Sequence, residues 1–148
     1  MKLKDFIVCD DIRTEINYKV SIMGVYDDII NFLVPKSAAN VWPKILRLGL
    51  FIRLALENKE EQINIRKLIL EFTLNGEKVF HAEQGIDLSK QELPLLKGFA
   101  IPVVFNNIQI PKTGDMEISL SVLDKDGKLM QKVCYPGNVK ITEIIQKL

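Results

Sequence analysis

Apolar residues recur at every second position along several stretches of this chain, and an extended strand is the element that turns such a pattern into one buried face. Met116, Ile118, Leu120 and Val122 alternate with Glu117, Ser119 and Ser121. Leu48, Leu50, Ile52, Leu54 and Leu56 alternate with Gly49, Phe51, Arg53, Ala55 and Glu57. Leu68, Leu70, Phe72 and Leu74 alternate with Lys67, Ile69, Glu71 and Thr73. Successive side chains of a strand point to opposite faces, so each run presents one side to a core. Phe99, Ile101, Val103 and Phe105 make a further run, whose register slips at Asn106-Asn107 before Ile108 and Ile110. An extra residue inserted there predicts a bulge.

Turn chemistry separates the runs. Asn75-Gly76 is the strongest hairpin signal, because both positions favour positive φ. Pro111 to Gly114, Asp124-Lys125-Asp126-Gly127 and Pro136-Gly137 supply others, and Asn17 turns an opening hairpin. That hairpin joins Phe6-Ile7-Val8-Cys9, apolar on both sides, to Val20-Ser21-Ile22-Met23-Gly24-Val25. Gly24 within a strand marks a bulge or a close backbone approach. Ile29 to Val34 is expected to be an edge or crossing segment. Lys36 to Lys44 is an irregular connection in which Trp42 covers one end of the core, and Pro43 stops any helix. Asn58 to Gln62 is expected as a solvated loop. Ser89-Lys90-Gln91-Glu92 has capping-box spacing for one helical turn. Val139 and Ile141 form a last short strand before a frayed helical turn over Thr142 to Leu148.

Eight to ten short strands with minimal helix predict an all-β fold, an antiparallel two-sheet β-sandwich of immunoglobulin-like or C2-like type, with a closed barrel second. A length of 148 residues without an internal linker fits a single β-sandwich domain spanning 1–148.

Charge and motif content narrow the function. Twenty basic against nineteen acidic residues leave a net charge of +1, and Arg13, Arg47, Arg53 and Arg66 are scattered. This argues against nucleic acid or membrane as partner. The longest apolar run, Leu48 to Leu56, is interrupted by Arg53 and too short to span a bilayer. No signal-peptide pattern opens the chain, and Cys9 and Cys134 are expected as buried free thiols, so a cytoplasmic location is expected. Neither a phosphate-cradling glycine loop nor a dinucleotide fingerprint occurs, and no cofactor is expected. The single histidine, His81, does not support a multi-imidazole zinc site or a triad.

Carboxylates are the remaining site candidates. Asp10-Asp11 and Asp27-Asp28 close the two strands of the opening hairpin and could converge on a hard cation such as calcium or magnesium. The competing expectation is that each pair ends a strand in water. Asp124 and Asp126 suggest a calcium loop, yet the same residues suit a hairpin with a glycine bulge. Arg13 and Glu15, beside Asp11, suggest a salt-bridge network or a polar interface rim.

The segments Cys9-Asp10-Asp11-Ile12-Arg13-Thr14-Glu15 and Lys19-Val20-Ser21-Ile22-Met23-Gly24-Val25-Tyr26, with a late Asp-x-Asp-Gly turn, resemble a family of small bacterial proteins of unknown function. The resemblance implies a cytoplasmic β-sandwich and brings no reaction with it. The leading expectation is a non-enzymatic binding module that contacts an unknown protein partner or self-associates as a homo-oligomer, motivated by apolar residues on outward faces at Phe51, Ile69, Val104 and Leu123. The alternative is a small-ligand or divalent-cation module built on the acidic pairs. A hydrolase using the carboxylates lacks a nucleophile and base at recognisable spacing.

Overall fold

The alternating runs become strands where their pattern places them. A computed structural model describes residues 1–89 and 97–147. Among these, ten strands occur: β1 (Lys2–Thr14), β2 (Val20–Val25), β3 (Ile29–Val34), β4 (Lys44–Ala55), β5 (Ile65–Leu74), β6 (Glu77–Gly85), β7 (Gly98–Ile110), β8 (Gly114–Asp124), β9 (Leu129–Cys134) and β10 (Val139–Ile145). One α-helix, α1 (Lys59–Asn64), lies between β4 and β5.

The strands form two sheets. The first has the order β2-β1-β4-β7, and the second β3-β10-β8-β5-β6 with β9 also paired to β8. β9 and β10 are two halves of one interrupted strand. Cys134 pairs with Ser119, Val139 resumes against Met116, and the excursion between them turns at Gly137 with φ 81°. With β2 and β3 set aside, the sheets read β1-β4-β7 and β10-β8-β5-β6. This is the immunoglobulin distribution of successive strands, A-B-E facing G-F-C-C′.

The inward faces fill the space between the sheets. Leu48, Leu50, Ile52 and Leu54 of β4 meet Leu68, Leu70, Phe72 and Leu74 of β5 and Met116, Ile118, Leu120 and Val122 of β8, all buried in one core. Full burial of one such side chain contributes about 1.5–3 kcal/mol. Phe72, Phe80 and Phe105 close one flank, with Phe80 and Phe105 ring centroids 4.7 Å apart across the two sheets. At the opposite flank Phe6 meets Tyr135 edge-on at 5.7 Å and Phe32 meets Trp42 at 5.9 Å, so Trp42 does cover part of the core.

Local signals hold in several places. Asn75 and Gly76 adopt φ 49° and 84°, as a two-residue hairpin requires. The slip at Asn106-Asn107 is a bulge: Leu46 pairs with Ile108 and Leu48 with Phe105, leaving two residues opposite Arg47.

Four expectations are corrected. The sandwich is not wholly antiparallel, because β3 runs parallel to β10 from Ile29↔Lys140 to Val34↔Ile145. The same pairing draws Thr142 to Ile145 into β10 in place of a frayed helical turn. Asn58 to Gln62 is no solvated loop: Asn58 caps α1 by accepting from the Glu61 N–H at 2.9 Å, and Gln62 is buried, donating to the Leu88 carbonyl. Phe51, Ile69, Val104 and Leu123 are half-buried by their neighbours; they do not form the exposed apolar surface. The expected capping box at Ser89 to Glu92 lies, beyond Ser89, outside the described residues.

Candidate functional site

The opening hairpin decides where the first acidic pair points. β1 and β2 pair with Asp11 opposite Met23 and Thr14 opposite Val20, about a turn in which Asn17 takes φ 65°. This register sets Asp10 opposite Gly24, whose φ is +64°, and a Cβ at Gly24 would fall inside the Asp10 carboxylate. The close approach expected at Gly24 is therefore that of an acid side chain. Asp10 Oδ1 accepts from the Tyr26 hydroxyl. Burial, reinforced by that bond and the Asp10 charge, pushes the Tyr26 phenol up to about 12.

Asp11 is engaged with a different sheet strand. Its Oδ1 accepts from Arg47 Nη2 at 2.6 Å and from the Ile12 N–H at 3.0 Å, and Arg13 Nε stands 3.5 Å from Oδ2. Arg13 thus joins the expected salt-bridge network, while Glu15 accepts from the Ser21 hydroxyl. Arg47 was not expected there. It stands in β4 opposite the bulge at Asn106-Asn107.

Asp27 and Asp28 lie past the end of β2, where the chain crosses to the second sheet. The Asp28 carbonyl accepts from the Lys140 N–H at 2.7 Å, and its Oδ1 lies 3.5 Å from the Tyr135 hydroxyl. Burial and the nearby Asp28 charge push the Tyr135 phenol up. The two acidic pairs therefore serve different strands and are not brought to one cluster. Asp124 caps its own hairpin, accepting from the Asp126 and Lys128 N–H groups at 2.9 and 2.8 Å, while Asp126 is exposed and Gly127 takes φ 77°. Among the described residues no group of three or more His, Cys, Asp and Glu side chains gathers so as to hold a metal ion.

His81 sits on the outer face of β6 between two carboxylates. Nδ1 is 3.2 Å from Glu71 Oε1 and Nε2 is 3.0 Å from Glu83 Oε1. Lys78 and Lys67 complete this exposed row, and their bonds with those of His81 hold both carboxyls below the usual range. Cys9 is buried against Gly49, and burial pushes its thiol up. Cys134 is exposed, not buried as expected; both cysteines are free. Its sulfur lies 3.9 Å from Glu117 Oε1 and near no described imidazole.

A second polar cluster escaped the sequence reading. Lys44 Nζ lies 2.8 Å from Glu143 Oε2, donates to the carbonyls of Ala38 and Val41, and stands 4.6 Å over the Trp42 ring. Asn40 N–H donates to Glu143 Oε1 at 2.8 Å. These contacts tie β10 to the β3–β4 connection.

Exposed apolar residues are spread over the molecule, Ile16, Val25 and Ile45 among them, and one group of them lies at the margin of the second sheet. Ile29, Leu33 and Ile144 are 49, 61 and 44% exposed, and Leu33 pairs with Ile144 across the β3–β10 ladder. Among the described strands only β10 pairs with β3. The Asp28 carbonyl accepts from Lys140 and the Val34 carbonyl from Gln146, so even-numbered residues of β3 face β10. Alternation then turns the N–H and C=O groups of Ile29, Asn31 and Leu33 to the open side.

No described helix is long and apolar enough to cross a membrane. A family model described as a family of unknown function (DUF6941) matches residues 4–133. No curated protein matches the chain.

Proposed function

The chain belongs to the DUF6941 family, a family of unknown function, and we propose that it is a non-enzymatic β-sandwich binding module acting through protein–protein contact at a sheet margin. The open side of β3 carries this reading. Sheet margins pair with other chains unless charge, proline or a bulge blunts them. β6 carries Lys78, His81 and Glu83, β7 contains Pro102, and β2 carries Gly24 at φ 64° with the Asp10 carboxylate against it. β3, Ile-Ile-Asn-Phe-Leu-Val, has none of these devices and exposes Ile29 and Leu33 beside backbone groups that no described strand pairs. The non-enzymatic part is supported by the engagement of Asp10, Asp11 and Glu143 with protein donors and by the lack of a nucleophile beside His81 among the described residues. A reducing, cytoplasmic setting suits the free exposed thiol of Cys134.

Size exclusion with light scattering, joined to affinity capture from the source lysate, tests the reading with wild type and Leu33→Glu. The expected result is self-association or a captured protein that Leu33→Glu weakens. A strict monomer that captures nothing removes it.

A further inference from the structure

Resting on the reading of β3 as a contact surface, we infer that its occupant is a second copy of the chain, the two β3 strands pairing antiparallel about a two-fold axis at Asn31. The outward backbone groups belong to Ile29, Asn31 and Leu33, spaced evenly about Asn31. Placing Asn31 opposite Asn31 of the second copy sets Ile29 opposite Leu33 in both directions. Each outward N–H then meets a carbonyl of the other copy, and each outward carbonyl an N–H, as hydrogen-bonded antiparallel pairs require. The strand is self-complementary in its backbone.

Its side chains are self-complementary too. Ile29 of one copy lies against Leu33 of the other on the outer face, and Ile144, already beside Leu33, continues the apolar row. Thr142 holds Asn31 Oδ1 within its own copy, so the residue on the axis is fixed in place. Charge selects the direction. Extending the register sets Asp28 opposite Val34 and Asp27 opposite Pro35, which brings the Asp27-Asp28 pair beside Lys36 of the second copy. Parallel pairing would lay acidic pair against acidic pair, an unfavourable arrangement. No charged residue stands between Ile29 and Val34 to oppose itself across the seam. Because the contact uses the same strand in both copies, it closes at two and does not propagate. A single strand pair falls in the small, reversible class of interfaces, so the dimer dissociates on dilution.

Sedimentation velocity and a cysteine cross-link test the arrangement. Wild type is expected to show a concentration-dependent dimer, and Leu33→Glu, which sets a carboxylate facing the end that bears Asp27-Asp28, to raise its dissociation constant about tenfold. At concentrations low enough for both proteins to be monomeric the melting temperature should be the same, since Leu33 is exposed in the single chain. Opposed α-carbons of such a pair lie about 5.5 Å apart, within disulfide reach. In a Cys134→Ser background, Asn31→Cys is therefore expected to form a disulfide dimer under mild oxidation faster than Asp126→Cys, an exposed site far from the seam. Wild type that stays monomeric at the highest attainable concentration overturns the proposal, as does an Asn31→Cys cross-link no faster than the control. If Leu33-dependent capture of another protein persists in that case, the margin binds but the second copy is not its occupant. If capture also fails, the contact reading falls with it.

Discussion

Gly24 is where one hydrogen atom in place of a side chain decides the hairpin. With φ at +64° and the Asp10 carboxylate against it, a β-branched residue meets both backbone strain and a clash. Gly24→Val should lower unfolding free energy by about 1–3 kcal/mol, checked by urea denaturation. Gly98 is tighter still, because a Cβ there overlaps the Leu54 backbone carbonyl, which cannot rotate away as a carboxylate can; Gly98→Ala should cost stability even though alanine adds one methyl. Gly24 was legible as a special position, whereas Gly98 was not, since its constraint comes from a strand more than forty residues earlier in the chain. Tyr26 gives a readout of the same corner. Its phenol is raised in the folded state, so the stability it contributes is complete below the ordinary tyrosine value of about 10 and is lost as pH rises through about 12. An alkaline titration of phenolate absorbance should show a late step that Tyr26→Phe removes. Because Tyr26 and Arg47 already occupy Asp10 and Asp11, calcium, magnesium and manganese should leave the melting temperature unchanged. A saturable rise with any of them would return a cation site to this hairpin.

At the scale of elements, alternation was a sound guide to burial and a poor one to neighbours. β4, β5 and β8 bury the residues that their period marks, and Leu50→Ala should cost about 2–5 kcal/mol in unfolding free energy. The helix α1 also carried its signal, an Asn58-Lys59-Glu60-Glu61 run with a capping residue three positions before glutamate, masked by reading the charges as solvation. The end of β10 departs from its expected helical turn for a different reason. Thr142-Glu143-Ile144-Ile145 has no clear period, and what makes it a strand is the parallel ladder to β3 and the ion pair to Lys44. Such long-range contacts leave no local trace. The Glu143 carboxyl is held low by Lys44 and by the Asn40 N–H, so the stability it contributes is present above the ordinary glutamate range and lost as pH falls through the folded value. Glu143→Gln should lower the melting temperature at neutral pH and flatten its decline on acidification.

For the whole molecule, composition and turn spacing were enough to place the chain among β-sandwiches, but sheet order was not in them. The order emerged from which strands share a sheet: β1, β4 and β7 in one layer, β5, β6, β8 and the β9–β10 strand in the other. The candidate site was the least legible part. Its acidic pairs stand out because charge is conspicuous, while the open side of β3 looks like ordinary core until its one described neighbour, β10, is known. That neighbour has a consequence for how the chain is made. β3 ends at Val34 and its only described partner begins at Val139, so during synthesis at about 5–20 residues per second β3 waits roughly 5–20 seconds with both sides bare. The strand is then an uncharged, two-sided template in a crowded cell. Chains arrested before Val139 are expected to sediment as aggregates when released from the ribosome, and those arrested well beyond Ile145 to stay in solution.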